Sequence, residues 1–166
     1  MRLIVADAGP LIALSRIRRL GVLPHLFEEV VIPTIVVTEL RLGQARDGVG
    51  ELAAAVALGT WLRSLAPREG RPIAGLDDGE SAAIHLAEQL RCPLLVDERR
   101  GRAVAARRGI VVLGTGRILV EAKRRGLIAV VAAELTAFRT VGYRLSDALC
   151  QQILLLAEEA DSRNDG

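Results

Sequence analysis

Histidine is almost missing from this sequence of 166 residues, with His25 and His85 the only two. A zinc centre or a histidine acid–base pair therefore has almost no raw material. Cysteine is as scarce. Cys92 and Cys150 stand far apart in apolar patterns, form no CxxC, and have no histidine placed to share a zinc ion. They read as buried thiols in a reducing compartment. The only aromatics are Phe27, Trp61, Phe138 and Tyr143, too few for a platform on which single-stranded bases stack. Lys123 is the sole lysine. No apolar run approaches the roughly 20 residues of a membrane span. The short N-terminal run falls below the core of about 7–15 residues that a signal peptide needs. These absences lead us to expect a cytoplasmic protein with no membrane partner.

What remains is 51% apolar and 25% charged, with a net charge of +2, the balance of a soluble globular chain. The length suits one domain, expected over residues 1–160, followed by a frayed tail at 161–166. Positive charge is almost entirely arginine. A GC-rich genome gives that bias, and the planar arginine fork also suits phosphate. With histidine and cysteine nearly excluded, any metal must be held by carboxylate oxygens, which favours a hard ion, Mg2+ or Mn2+.

Apolar runs at residues 2–6, 30–32, 61–65, 94–96 and 110–113 read as strands, the first of them buried on both faces. Helices are expected at 11–20, opened by Gly9-Pro10, and at 34–42, 51–58, 78–90, 100–108, 116–125, 129–140 and 146–160, with loops at 43–50 and 67–75. Alternating strands and helices imply a parallel sheet with helices on both faces. Right-handed crossovers then bring every strand's C-terminal end to one edge, where such sheets bind ligands.

Asp7 and Asp97 each end an apolar strand and so belong to that edge. Both have bland explanations available: Asp7 can start a turn or cap the next helix. Glu80 completes a D-x-x-E capping box with Asp77. Periodicity favours more for two glutamates. Glu80 shares a helical face with Ala83, Ile84 and Ala87, and Glu39 shares one with Ile35, Val36 and Leu40. A carboxylate on an apolar face implies something that binds it. Four carboxylates drawn together repel and raise one another's pKa, a conflict that a divalent cation relieves.

The ordered set D-A-G-P-L-I-A-L (7–14), P-x(5)-E-L (33–40), L-D-D-G-E-S-A-A-I-x-L-A (76–87), L-L-V-D-E-x-x-G-R (94–102) and V-L-G-T-x-x-I-L (112–119) resembles the PIN-domain ribonucleases, nearest to the VapC-like toxins of toxin–antitoxin pairs. The resemblance implies a three-layer α/β/α sandwich with a central parallel sheet. It implies cleavage of RNA with Mg2+ or Mn2+ held by Asp7, Glu39, Glu80 and Asp97, with Glu98 as an auxiliary carboxylate and Thr115 as a hydroxyl near the metal. A cognate antitoxin and a homodimer are the partners it implies. Two positions depart from the common pattern. Ala8 stands where many active members carry Thr or Ser, and Glu80 stands where many carry Asp.

Arg99, Arg100 and Arg102 open the helix after Asp97 and are placed to steer an RNA backbone, although a solvated helix face accounts for them equally well. Two other classes fit parts of the sequence. Gly114-Thr115-Gly116 follows a strand and opens a helix as dinucleotide-binding turns do, but Leu119 occupies the third glycine position and no Walker lysine is present. A PIN fold that has lost catalysis and serves as an interaction module is the remaining alternative.

Overall fold

The computed structural model describes residues 3–42 and 48–159. Most of the expected 43–50 loop and the whole expected 161–166 tail lie outside them. In chain order the elements are β1 (Leu3–Ala6), α1 (Ala8–Arg16), a 3-10 turn (Leu20–Val22), α2 (Leu23–Leu26), β2 (Glu29–Pro33), α3 (Thr34–Leu42), α4 (Gly50–Leu58), β3 (Leu62–Leu65), α5 (Asp78–Leu90), β4 (Leu94–Leu95), α6 (Arg99–Arg107), β5 (Val112–Leu113), α7 (Thr115–Arg124), α8 (Val131–Thr140) and α9 (Asp147–Leu156). Among the described residues no helix is long and apolar enough to cross a membrane.

The strands form one parallel sheet in the order β3-β2-β1-β4-β5, the centre of a three-layer α/β/α fold. Ile4, Val5 and Ala6 are fully buried, as are Val30, Val31 and Ile32. Neighbours along a strand point to opposite faces, so both faces of the sheet are covered. On one face Ala83, Ile84 and Ala87 of α5 and Val104 and Ala105 of α6 join Val5, Val31, Leu94 and Val96 in a single core cluster. The expected inward face of α5 is the observed one.

The chain divides into two compact units, one up to Thr115 and one from Gly116 onward. The first holds the whole sheet and every expected site residue. In the second, the Glu159 carboxylate accepts the Val131 and Ala132 N–H groups at 2.7 and 2.8 Å, where α8 begins. It also accepts Lys123 Nζ at 2.7 Å. Burial works against that carboxylate, but Lys123 and the two N–H groups hold it below the usual glutamate range. One anion thus satisfies donors that a helix N-terminus leaves open.

The clearest difference from expectation lies after β1. The first helix starts at Ala8, with Pro10 inside its opening turn, and ends at Arg16 rather than near Leu20. Arg18 turns the chain through the left-handed region at φ 59°. The 3-10 turn and α2 follow, burying Leu20, Val22, Leu23 and Leu26. Those leucines and valines continue a helical spacing, so periodicity alone carries no sign of the break.

Glu159→Ala strands two N–H groups and takes the carboxylate from Lys123, which keeps its bond to the Ala157 carbonyl at 2.8 Å. It should lower unfolding stability by about 1–3 kcal/mol in urea melts, with Glu159→Gln losing less because its amide oxygen still accepts.

Candidate active site

The strand order reverses between β1 and β4: β1 pairs with β2 on one side and with β4 on the other. Such a switch point opens a crevice at the carboxyl ends of the strands. Asp7 follows β1 there, its N–H donating to the Leu95 carbonyl at 2.9 Å. Asp97 lies just beyond β4, and Thr115 just beyond β5. Glu39 comes from α3, which follows β2, and Glu80 from the first turn of α5.

Asp7 occupies the N-cap position of α1, yet its side chain makes no capping bond. Burial pushes its carboxyl up to about 7; the Ala8 N–H opposes the rise, and the charges of Glu80, Asp77 and Glu39 add to it. Glu39 is raised by burial and by Asp77 and Asp78. Glu80 is raised mainly by burial, against the Asp77 N–H bond, with Asp77 and Glu98 pushing the same way as burial. The structure therefore brings Asp7, Glu39 and Glu80 into one negative field, and it adds Asp77 to them.

Glu80 is observed in the capping role considered for it. Asp77 Oδ1 accepts the Glu80 N–H at 2.7 Å, and Glu80 Oε2 accepts the Asp77 N–H at 3.0 Å, a complete capping box. The same carboxyl also hydrogen-bonds Glu98. Glu98 caps α6, accepting the Gly101 N–H at 2.7 Å. The Gly101 and Arg100 N–H groups pull Glu98 below its ordinary range, while Glu80 is raised. Asp97 is oriented by Thr115: Oδ1 accepts the Thr115 N–H and Oδ2 the Thr115 hydroxyl, both at 2.8 Å. Thr115 is fully buried.

One expectation fails on detail. The supposed inward face of Ile35, Val36, Glu39 and Leu40 is split. Val36 and Leu40 are buried, with Val37 beside them, whereas Ile35 is 39% exposed and Glu39 is exposed. Glu39 still turns toward the acidic edge, because a methyl placed on Gly79 would come 3.5 Å from its Oε2. The three arginines also differ. Arg102 Nη1 donates to the Val96 carbonyl at 2.9 Å and Arg100 Nη1 to the Gly75 carbonyl at 3.1 Å. Both brace the edge from within the chain, while Arg99 is exposed.

The sequence reads Asp77 only as a cap and Gly114 only as part of a dinucleotide-like turn, and it does not single out Gly79. D-x-x-E explains Asp77 fully as a cap, so nothing marks its charge as part of the cluster. A methyl on Gly79 would sit 3.1 Å from Val36 Cγ2 and 3.4 Å from Asp77 Oδ1. A methyl on Gly114 would sit 2.8 Å from Asp97 Oδ1 and 2.9 Å from Arg102 Nη1. Glycine is what lets these groups crowd. The G in D-D-G-E and in L-G-T was the available signal.

The donor set is all oxygen and mutually repelling, which suits a hard divalent cation. The side chains do not converge into a coordination shell, however. Among the described residues no three His, Cys, Asp or Glu side chains stand where they could hold a metal ion. Glu80 is turned back to its capping box and Asp97 to Thr115.

Residues 3–159 match a family model described as a PIN domain. The fold is similar to that of a PilT N-terminus domain protein from the hyperthermophilic archaeon Sulfolobus solfataricus P2. The identity is 17% and the TM-score 0.50, over 72% of this chain and 92% of that one. At that identity the likeness concerns the fold. No curated protein matches the sequence.

Asp7 binds its proton more tightly folded than unfolded, so protonation stabilises the fold. That contribution is complete below the ordinary aspartate value of 3.8 and is lost as pH rises through about 7. In EDTA, the melting temperature should therefore fall between those limits. Asp7→Asn should flatten the fall and stabilise the protein at pH 8 by on the order of 2 kcal/mol. An unchanged profile in Asp7→Asn would mean that the crowding is not felt at this carboxyl.

Proposed function

Given a chain that belongs to the PIN-domain family, a nuclease fold, we propose that it is a cytoplasmic, Mg2+- or Mn2+-dependent ribonuclease acting as the toxin of a toxin–antitoxin pair. The observation that carries the reading is Asp7: a carboxyl raised to about 7 by burial and by Glu80, Asp77 and Glu39, at the switch point of a parallel sheet. A fold that keeps such repulsion at its ligand edge gains from a cation there. Asp7, Glu39, Glu80 and Asp97 are the residues that would hold it.

A bound divalent cation would supply positive charge to a phosphate in transfer and make water a better nucleophile. The chain's own residues do the rest. Thr115 fixes the Asp97 carboxylate in one orientation through two bonds. Glu98 stands beside Glu80 and is itself fixed by accepting the Gly101 N–H. Arg102, braced on the Val96 carbonyl, keeps a cation beside Asp97.

RNA as the substrate and the toxin role are supported by the likeness of the five motifs to VapC-like toxins. A partner, either a second copy or an antitoxin, is supported by Val130, Leu149, Leu155 and Leu156, which are 40–63% exposed within the second unit. A second reading, a PIN fold that binds without cutting, is favoured by one observation: the carboxylates do not converge. Cleavage of RNA separates the two.

Purified protein should cut RNA with Mg2+ or Mn2+ and stop on addition of EDTA. Asp7→Asn and Asp97→Asn should each remove nearly all cleavage, since they remove charge at constant shape. Thr115→Val should cost about 10–100-fold, as loss of an orienting contact does. Glu80→Gln keeps a cap oxygen, so lost activity there assigns Glu80 to the chemistry. Full activity in both Asp7→Asn and Glu80→Gln would show that the carboxylate cluster is not the engine of cleavage, whereas no cleavage by the wild type would leave the binding-only reading.

A further inference from the structure

The loop before α5 is laced to that helix in reverse. The Arg68 N–H donates to Gln89 Oε1 at 2.8 Å, His85 Nε2 meets the Arg71 carbonyl at 2.8 Å, and the Ile73 N–H donates to Ser81 Oγ at 3.0 Å. A carbonyl only accepts, so His85 carries a proton on Nε2. Ser81, His85 and Gln89 are spaced by four and form a ladder along one side of α5. Ser81 and His85 are buried, a place where polar groups are costly unless bonded. Their bonds go to the loop backbone. The Arg100 bond to Gly75 and the Asp77–Glu80 box continue the lacing to the acidic edge.

Loop, α5 and the end of α6 enclose a cleft of about 610 Å³. Arg68, Arg71 and Arg108 line it against Glu69 and Glu88, an excess of positive charge. Glu88 holds Arg108 Nη1 with both oxygens, at 3.1 and 3.3 Å. Glu69 reaches Arg71 only at 3.8 Å, and the Arg71 side chain is 89% exposed. No Phe, Tyr or Trp is among the residues lining the cleft, and its one ring, His85, is buried and bonded to the Arg71 carbonyl, so guanidinium groups are what it offers a strand.

We propose that this cleft is a subsite for backbone phosphates of a nucleic-acid strand whose reacting phosphate lies at the acidic edge; the second half of that statement rests on the nuclease reading. One helix joins the two places. Glu80 to Glu88 spans about 12 Å along α5, roughly three to four nucleotides at the rise of a helical strand. Contact with phosphates rather than bases makes the grip insensitive to sequence.

The test is binding of labelled single-stranded RNA of mixed sequence, followed by fluorescence anisotropy in EDTA across a salt series. Arg68→Ala/Arg71→Ala leaves the Arg108–Glu88 pair intact and both sites are at the surface, so the fold should stand, with circular dichroism as the check. Affinity should fall about tenfold or more, and the slope of log affinity against log salt should flatten by about 1 per arginine. Arg68→Lys/Arg71→Lys should keep most of the slope, and Arg68→Glu/Arg71→Glu should bind more weakly than the alanine variant. If the glutamate variant binds RNA as the wild type does, with the same salt slope, the assignment is overturned. Wild-type cleavage with Mg2+ is read separately. Cleavage with unaffected binding in the variants sinks the cleft alone. No cleavage with weakened binding in the variants sinks the nuclease reading and leaves the cleft a nucleic-acid site.

Discussion

Repulsion among carboxylates at the junction of β1 and β4 is the constraint around which the first unit is arranged. A sheet made of Ile4-Val5-Ala6 and Leu94-Leu95-Val96 can be dry on both faces only if polar groups wait for its edge. Asp7 waits there half-buried and meets Glu39, Asp77 and Glu80. Such an arrangement costs folding free energy, and the surroundings limit that cost without removing it. The α5 capping box, the Glu80–Glu98 bond and the two Thr115 bonds each give one carboxyl an internal partner. The side chains are held apart by the same bonds that make their crowding tolerable.

Glycine makes the crowding possible in the first place. At Gly114 a methyl group would press on Asp97 Oδ1, and at Gly79 on Val36, with the Asp77 and Glu39 oxygens in contact beside it. The backbone of α5 can lie against α3, and the turn after β5 against Asp97, because neither position has a side chain. Packing and electrostatics are thus coupled at Gly79, which lies beside Asp77 and Glu39, two of the charges felt at Asp7.

Much of this was legible in the sequence, for physical reasons that differ by element. α5 was, because D-x-x-E fixes its start and Glu80, Ala83, Ile84 and Ala87 fix its inward face. The edge position of Asp7 and Asp97 was, because an apolar run ended by an aspartate on a parallel strand has one place to go. The split face of α3 was not. Ile35 and Glu39 lie on one stripe with Val36 and Leu40, and spacing does not say where the stripe's dry limit falls. The break after Arg16 was not, because it has neither a glycine nor a proline at the turning residue Arg18. Asp77 was hidden by having a sufficient local explanation, and the retention of Glu80 on its own cap, rather than in a shared shell, depends on distances that no pattern carries.

The ladder on α5 has a consequence for how this protein can vary. Surface loops ordinarily accept added or lost residues with little effect. Here three rungs, at Ser81, His85 and Gln89, meet three set points of the loop backbone, at Ile73, Arg71 and Arg68. All three rungs bond to main-chain atoms, so they are indifferent to which side chains the loop carries and intolerant of a change in its length. One residue more or less would slide every later backbone group off its rung and carry the Asp77 turn with it. For folding, the segment can therefore change its side chains while its count stays fixed, behaving as a measured spacer although it has no regular secondary structure.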